Sequence, residues 1–404
     1  MKFETLDDFG VEGKAVLVRV DINSPIDPET GEIMDDNRII KCADTITELS
    51  DKGAKVVVIA HQGRPGGDDF TTLEKHAEKM SEVFGTEVQY IDDLFGPAAR
   101  EKISSLGSGE ILLLENARFY SEEVLNREPE KQAKTHFVQK LAPLADLYVN
   151  DAFAAAHRSQ PSLVGFGKVL PSAAGRLMEA ELVGLDKARN PEHPCLHVLG
   201  GAKVDDSIAL IEHVLEKGLA DKVLTGGVVG QVFLAADSVD IGEPNLEFIK
   251  EEGYEEEIDI AEELLSRFGD SIYIPEDVRI EIEEGKAKNI SVKELPTEKP
   301  IYDIGDGTVS SYGDEIKKAS TVVANGPLGV FEKSEFAKGT NGVLDSIASS
   351  DAFTAIGGGH LVAAARESGI TDKIGHVSTG GGACLNFLSG EKLPVVEILK
   401  KVSE

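Results

Sequence analysis

Short runs of apolar, often β-branched residues alternate along this chain with longer stretches of helical periodicity, and that alternation narrows the fold more than any other feature. The runs are Ala15 to Val20, Val56 to Ala60, Ile111 to Leu114, Leu147 to Asn150, Leu196 to Leu199, Val223 to Thr225, Thr321 to Ala324, Ala352 to Ile356 and His376 to Ser378. Between most of them lie segments whose apolar residues recur at helical spacing: Arg38 to Asp51, Leu73 to Phe84, Glu130 to Leu141, Ser207 to Glu216, Ile258 to Phe268 and Glu335 to Ser349. Near-continuous apolar runs suit strands covered on both faces, so the expected fold is α/β. Its sheets are parallel, with helices on both faces and ligands at the carboxyl ends of the strands.

A chain of 404 residues exceeds one comfortable core and suggests two domains. Pro171-Ser172 precede a segment through Ala188 whose spacing suits one long helix, and the loop Asn190-Pro191-Glu192-His193-Pro194 follows it. The expected architecture is two doubly wound, Rossmann-like parallel-sheet domains, 1–171 and 172–390, joined by that helix as a hinge. Residues 391–404 are expected to pack back on the first domain. Arg279 to Val292 alternates polar and apolar residues around Glu284-Gly285-Lys286, as a β-hairpin does. The acidic tract Glu251 to Glu263 reads as a solvated face, because no ligand spacing or glycine turn accompanies it.

Hydrophobic residues make up 41% of the chain, an ordinary value for a globular protein. No uninterrupted apolar run is long enough to span a bilayer, and Met1-Lys2-Phe3-Glu4 does not read as a leader. Cys42, Cys195 and Cys384 are few, odd in number and far apart, so they read as core thiols in a reducing cytoplasm. A formal net charge of −31 disfavours nucleic acid, whose phosphates would be repelled over most of the surface. Small molecules are therefore the expected partners, and neither nucleic acid nor membrane is. In so acidic a chain, an anionic ligand is the favoured reason for arginine and histidine to gather.

Four glycine clusters in the second half each follow an apolar run and lead into a helical segment. They are Leu199-Gly200-Gly201-Ala202-Lys203, Thr225-Gly226-Gly227, Ile356-Gly357-Gly358-Gly359 and Ser378-Thr379-Gly380-Gly381-Gly382. At such a junction the missing Cβ lets backbone approach a ligand, and the unpaired N–H groups of the helix start face an anion. The steric needs of a tight turn explain any one cluster as well. They explain all four together less well.

In the first half the scarce arginines and histidines collect on loops after the apolar runs. Asp21-Ile22-Asn23-Ser24-Pro25 follows the first, Arg38 opens the next helix, and His61-Gln62-Gly63-Arg64-Pro65 follows the second. Arg118 lies in Glu115-Asn116-Ala117-Arg118-Phe119, and His157-Arg158 follow Asn150-Asp151. A lone arginine here is adequately explained by pairing with one of many acids. The group together is what a small polyanion requires, with planar guanidinium forks for phosphate or carboxylate and Asp21 and Asn23 for a hydroxyl.

Taken in order, these segments resemble the phosphoglycerate kinase family over nearly the whole chain. Val18-Arg19-Val20-Asp21-Ile22-Asn23-Ser24-Pro25, His61 to Pro65, Glu115 to Phe119 and Asp151-Ala152-Phe153 with His157-Arg158 are similar to its substrate motifs. Gly200-Gly201-Ala202-Lys203-Val204, Ala324-Asn325-Gly326-Pro327-Leu328-Gly329-Val330-Phe331-Glu332 and Ser378 to Ala383 are similar to its nucleotide motifs. The resemblance implies a reversible phosphoryl transfer between 1,3-bisphosphoglycerate and ADP, giving 3-phosphoglycerate and ATP, with Mg²⁺ accompanying the nucleotide. It implies that Asp21, Asn23, Arg38, His61, Arg64, Arg118 and Arg158 hold the phosphoglycerate, with Arg38 reaching the transferring group. Lys203, Gly380 and Gly381 would act on the nucleotide phosphates. Gly200, Gly201, Gly226, Gly227, Asn325, Pro327, Leu328, Glu332, Gly357, Gly358, Gly359 and His360 would frame the nucleotide, Glu332 through the ribose hydroxyls.

Two positions depart from the commoner family pattern. Ser207 stands where a second lysine is usual, and His360 where an aspartate is usual on the metal side of the nucleotide. With a cation and an anion both gone, the pair reads as a compensated, archaeal-type variant that meets one phosphate and metal region, and no protein ligand for Mg²⁺ is assigned. The alternative to an active kinase is a catalytically silent relative that binds the same ligands. An oxidoreductase reading fails, because no Gly-x-Gly-x-x-Gly opens a helix after the first apolar run.

Overall fold

The computed structural model describes residues 1–400; the end of the expected 391–404 segment, 401–404, lies outside the described residues. The chain divides into two compact units, 1–183 together with 392–404, and 184–391.

The first unit is built on strands β1 (Ala15–Val20), β2 (Lys55–Ile59), β3 (Val88–Ile91), β4 (Ile111–Leu114), β5 (Leu147–Asp151) and β6 (Ser172–Ala174). They form one parallel sheet in the order β3-β4-β2-β1-β5-β6. Because side chains alternate across a strand, each apolar run feeds two layers. Val16, Val18, Val56 and Val58 join Ile39, Cys42, Ile46, Ala77 and Met80 of helices Asn37–Asp51 and Glu74–Phe84 on one face. Leu17, Val57 and Ile59 join Ala99, Ile103, Phe137 and Leu141 of helices Pro97–Ser105 and His136–Leu141 on the other. Each fully buried aliphatic side chain in these layers contributes about 1.5–3 kcal/mol relative to exposure.

The second unit holds β7 (Cys195–Leu199), β8 (Lys222–Thr225), β9 (Ile272–Tyr273), β10 (Asp277–Glu283), β11 (Lys286–Ser291), β12 (Ile301–Ile304), β13 (Thr321–Asn325), β14 (Phe353–Gly357) and β15 (His376–Val377). Its parallel sheet runs β15-β14-β13-β7-β8-β9. The expected hairpin is β10-β11, and β12 pairs antiparallel with its other edge, making a separate three-stranded sheet. In each parallel sheet the first strand has later strands wound to both sides, so the order reverses beside β1 and beside β7. That reversal opens a crevice at the carboxyl ends of β1 and β5 in one unit, and of β7 and β13 in the other.

Two readings of the sequence need correction. The segment after Pro171 is not helical from its start: Ser172–Ala174 hydrogen-bonds alongside β5 in the first sheet, and the helix runs Arg176–Arg189. The division between the compact units falls inside that helix, after Val183. Glu130 to Leu141 is two helices, Pro129–Gln132 and His136–Leu141, because Thr135 turns extended between them and its hydroxyl donates to the Gln132 carbonyl (2.8 Å). Helix Pro394–Leu399 packs within the first unit, where the Val395 N–H donates to the Ala156 carbonyl at 3.3 Å.

Candidate functional site

In the first unit, the loops that leave β1, β2, β4 and β5 bring the expected basic residues together. Asp21 follows β1, and its carboxylate accepts the Asn23 N–H at 3.1 Å and pairs with Arg38 at 2.7 Å. Arg38 sits in the first turn of helix Asn37–Asp51 with its side chain nearly half exposed. Asn23 accepts the Gly63 N–H at 2.8 Å, which joins the β1 and β2 loops. Arg118 is buried after β4 and donates to the Gly63 carbonyl, while Asn116 fixes its turn by accepting the Arg118 N–H at 3.0 Å. Arg158 is half-buried beyond β5 and donates to the His157 ring at 3.2 Å. Arg64 is exposed on the β2 loop, and His61 is buried at its base.

These charges perturb one another in the way an anion site requires. Burial lowers Arg118 to about 10, and Arg158, Arg19 and Arg64 push in the same direction. Arg158 is also lowered, first by burial and then by Arg64, Arg19 and Arg38, with Asp21 opposing. Burial alone would raise Asp21, yet Arg38, Arg19 and the Asn23 N–H oppose it and hold the carboxyl below its ordinary value. Arginines crowded closely enough to repel one another are a functional-site signature, because a bound polyanion relieves that repulsion.

In the second unit the glycine clusters stand at the carboxyl ends of β7, β8, β14 and β15, each leading into a helix. Those around the β7–β13 crevice are fixed by packing. The Gly200 N–H donates to the Asn325 carbonyl at 2.9 Å, and that of Gly201 to Pro327 at 2.7 Å. The Gly227 N–H donates to Leu328 at 2.9 Å. Gly326 adopts φ +76°, and a Cβ there would lie 2.2 Å from the Gly200 carbonyl oxygen, so only glycine lets the two loops meet. By contrast, a Cβ on Gly359, Gly381 or Gly382 would meet nothing within 4 Å. Backbone at those two helix starts faces open space. Neither Gly359–Glu367 nor Gly382–Leu388 carries an acid in its first turn, whereas Val204–Glu216 carries Asp205 and Asp206. An anion is therefore better placed at the former two.

Beside these loops lies a cavity of about 560 Å³, lined by Gly201, Gly227, Pro327, Glu332 and His360. Phe248, Pro300, Ile301 and Tyr302 close its other walls. Gln231 donates to the Ile301 carbonyl at 3.0 Å and Asn245 accepts the Ile301 N–H at 2.8 Å, fastening the wall supplied by β12. Glu332 and His360 approach to 3.7 Å, and the His360 ring lies 6.0 Å from that of Phe331. Asn325 is buried at the end of β13 against Gly357 and Gly358, with its Nδ2 donor unpartnered. Lys203 caps the start of its helix and is largely exposed, 3.9 Å from Asp206.

Several expected contacts are placed differently. Leu328 is buried beneath Gly226, where a Cβ would strike its side chain at 2.6 Å, and neither residue lines the cavity. Ser207 is buried and its hydroxyl donates to the Lys203 carbonyl at 2.9 Å, the backbone group four residues earlier. It therefore serves its own helix, while His360 is exposed at the cavity rim, and the two departures have different surroundings. Reading the sequence did not find Phe248, Pro300 and Tyr302, which are ordinary residues until the fold assembles them. It also placed Arg19 only within a motif and left Glu123 unremarked.

Fold and sites define a class: a two-unit α/β protein with a clustered-arginine site at the strand ends of one unit and a glycine-walled cavity at those of the other. The phosphoglycerate kinase family model matches residues 6–391. The chain is 56% identical over 401 residues to a phosphoglycerate kinase of Methanothermobacter thermautotrophicus, covering 99% of this chain and 97% of that one. It is 54% identical over 411 residues to one from Methanococcus maripaludis, covering 100% and 99%. A crystal structure of phosphoglycerate kinase from Pyrococcus horikoshii superposes with TM-score 0.92 at 46% identity over 98% of each chain. A phosphoglycerate kinase structure from Coxiella burnetii gives 0.83 at 31% identity, covering 98% and 99%. The chain belongs to the phosphoglycerate kinase family.

Proposed function

We propose that this chain catalyses the reversible passage of a phosphoryl group between 1,3-bisphosphoglycerate and ADP, yielding 3-phosphoglycerate and ATP, as a glycolytic and gluconeogenic kinase. The observation that carries this reading is the gathering of Arg38, Arg64, Arg118 and Arg158 near Asp21, close enough that burial and the neighbouring guanidiniums lower Arg118 and Arg158. On this reading Arg64, Arg118 and Arg158 bind the phosphate and carboxylate of the phosphoglycerate. Asp21 and Asn23 take its hydroxyl, and His61 donates to it. Asp21 also holds Arg38 in reserve, so that the guanidinium reaches the phosphoryl group in flight, where its charge counts most.

The nucleotide is assigned to the 560 Å³ cavity, its base against Gly201, Gly227 and Tyr302 and its ribose against Glu332. Its phosphates lie toward Lys203 and the open backbone of Gly359, Gly381 and Gly382. Magnesium arrives as part of the nucleotide substrate. On this reading the ion is held mainly by phosphate oxygens and water; among the described residues no group of three or more His, Cys, Asp or Glu is placed to hold a metal. Phosphoryl transfer asks mainly for positioning and charge neutralisation, and two ligands brought together away from water meet both needs. Three buried cysteines suit a cytoplasmic setting, and no helix among the described residues is long and apolar enough to cross a membrane.

A coupled assay with 3-phosphoglycerate, ATP and Mg²⁺ tests the proposal against a silent, ligand-binding relative. Turnover that requires all three components is expected. Binding of both ligands without turnover would leave the silent relative as the reading.

A further inference from the structure

His61 is buried at the floor of the basic group, and the atom beside its Nδ1 is a guanidinium nitrogen: Arg19 Nη2 lies 2.9 Å away. Arginine has donors and no acceptor, so Nδ1 must accept, and a ring that accepts at Nδ1 cannot be an imidazolium. Its single proton is on Nε2. Arg19 is itself fixed at every turn. It is buried in β1, its Nη1 donates to the Val20 carbonyl, and its Nε donates to the Ser162 hydroxyl at 2.8 Å. That hydroxyl in turn donates to the buried Glu123 carboxylate, which also accepts the Ser162 N–H at 3.0 Å. Tyr148 holds the same segment by donating to the Ser162 carbonyl at 2.7 Å. The result is a one-directional chain from Arg19 to Glu123 on one side and to His61 on the other.

We propose that Arg19, anchored through Ser162 to Glu123, is a positioning residue that locks His61 in the neutral Nε2–H tautomer, so that among the arginines His61 serves as a hydrogen-bond donor and not as a cation. Burial and then Arg19, with Arg118 and Arg158, lower the pKa of His61 well below the ordinary value, overcoming the opposing pull of Asp21. A neutral donor suits a site that already carries excess positive charge, since a further cation would add repulsion before the ligand arrives. The proposal rests on the basic group being the phosphoglycerate site only for its consequence in binding. The tautomer itself can be read without substrate.

The experiment is ¹⁵N spectroscopy of the full chain with ¹⁵N-labelled histidine, the His61 ring being assigned by its loss in H61Q. Nδ1 should be unprotonated and Nε2 protonated from about pH 8 to about pH 5.5, a range over which a free histidine titrates. A ring protonated at Nδ1, or one that becomes imidazolium in that range, overturns the proposal from the wild-type spectrum alone. R19M should release the ring so that an Nδ1–H signal appears, and R19K, which keeps a donor, should suppress it. Should R19M fail to fold, S162A loosens the same anchor with little loss of volume and should also show Nδ1–H; a spectrum unchanged in every folded variant contradicts the role of Arg19. Finally, H61Q keeps an amide donor near the Nε2 position and should hold KM for phosphoglycerate within about threefold of wild type, whereas H61N, too short to reach, should raise it at least tenfold. Equal KM for the two with the expected tautomer intact would count against the phosphoglycerate reading and leave the Arg19 lock standing.

Discussion

Arg38, Arg64 and Arg118 share one charge and differ in setting, so their removal should differ in kind. Arg38 is half-exposed and tied to Asp21, whereas Arg118 is buried on the Gly63 carbonyl and Arg64 projects from an exposed loop. Replacing Arg38 by Ala should lower kcat by about 10²-fold or more with little change in the KM for phosphoglycerate, because its charge is used mainly in the transition state. R64A and R118A should mainly raise that KM. Steady-state kinetics on the three variants decide it, and equal, modest effects from all would dismantle the assignment. These residues were legible in the sequence because arginine and histidine are scarce in an acidic chain, so their grouping on strand-end loops stands out. The Arg19–Ser162–Glu123 chain was not legible, because its partners are joined only by the packing of β1 against distant turns.

At the scale of elements, Asp151 ends β5 and reaches over to helix Arg176–Arg189. It accepts the Met178 N–H at 3.0 Å and is fully buried. Burial pushes its carboxyl up from 3.8 to about 6, against the opposing pull of hydrogen bonds from Met178, Thr45 and Leu177. An acid whose folded pKa is raised gives stability that is fully present below its unfolded value and lost as pH rises through about 6. Aspartate 151 should therefore cost the folded protein more at pH 7 than at pH 4, and D151N, which does not ionise, should gain on wild type by about 1–3 kcal/mol over that interval. Denaturant titrations at the two pH values measure the difference, and parallel pH profiles would refute it. In the second unit, G326A should destabilise by more than about 1 kcal/mol and weaken nucleotide binding, because the new methyl must displace the β7 loop. Calorimetry with ADP tests this; wild-type affinity and stability would mean that the loops can part. Long, buried strands such as β1, β4, β7 and β13 were readable from their apolar runs. The half-exposed β3, the three-residue Ser-Ala-Ala of β6 and the two-residue β9 carry too little pattern to be read and are held by their neighbours.

For the whole molecule, the division of labour proposed for the two units has a physical consequence. If one unit holds the phosphoglycerate and the other the nucleotide, transfer requires the ligands to be brought together, and only the pair of them rewards that change. Small-angle scattering should show a smaller radius of gyration with both ligands than with either alone; one radius in all states would contradict a closing hinge. The two-unit architecture followed from length and strand–helix alternation, while the walls of the glycine-lined cavity did not, since helix Glu243–Glu251, β12 and the loop after β13 meet only in the folded unit. The central claim is that the arginine cluster and the glycine-walled cavity serve one phosphoryl transfer. Its most direct test follows label from the γ-position of Mg-ATP into 3-phosphoglycerate, with wild type and R38A run side by side. The account predicts labelled 1,3-bisphosphoglycerate formed by wild type and reduced by about 10²-fold in R38A with both ligands still bound. Label retained on ATP, or lost to water at the same rate in both proteins, would contradict it.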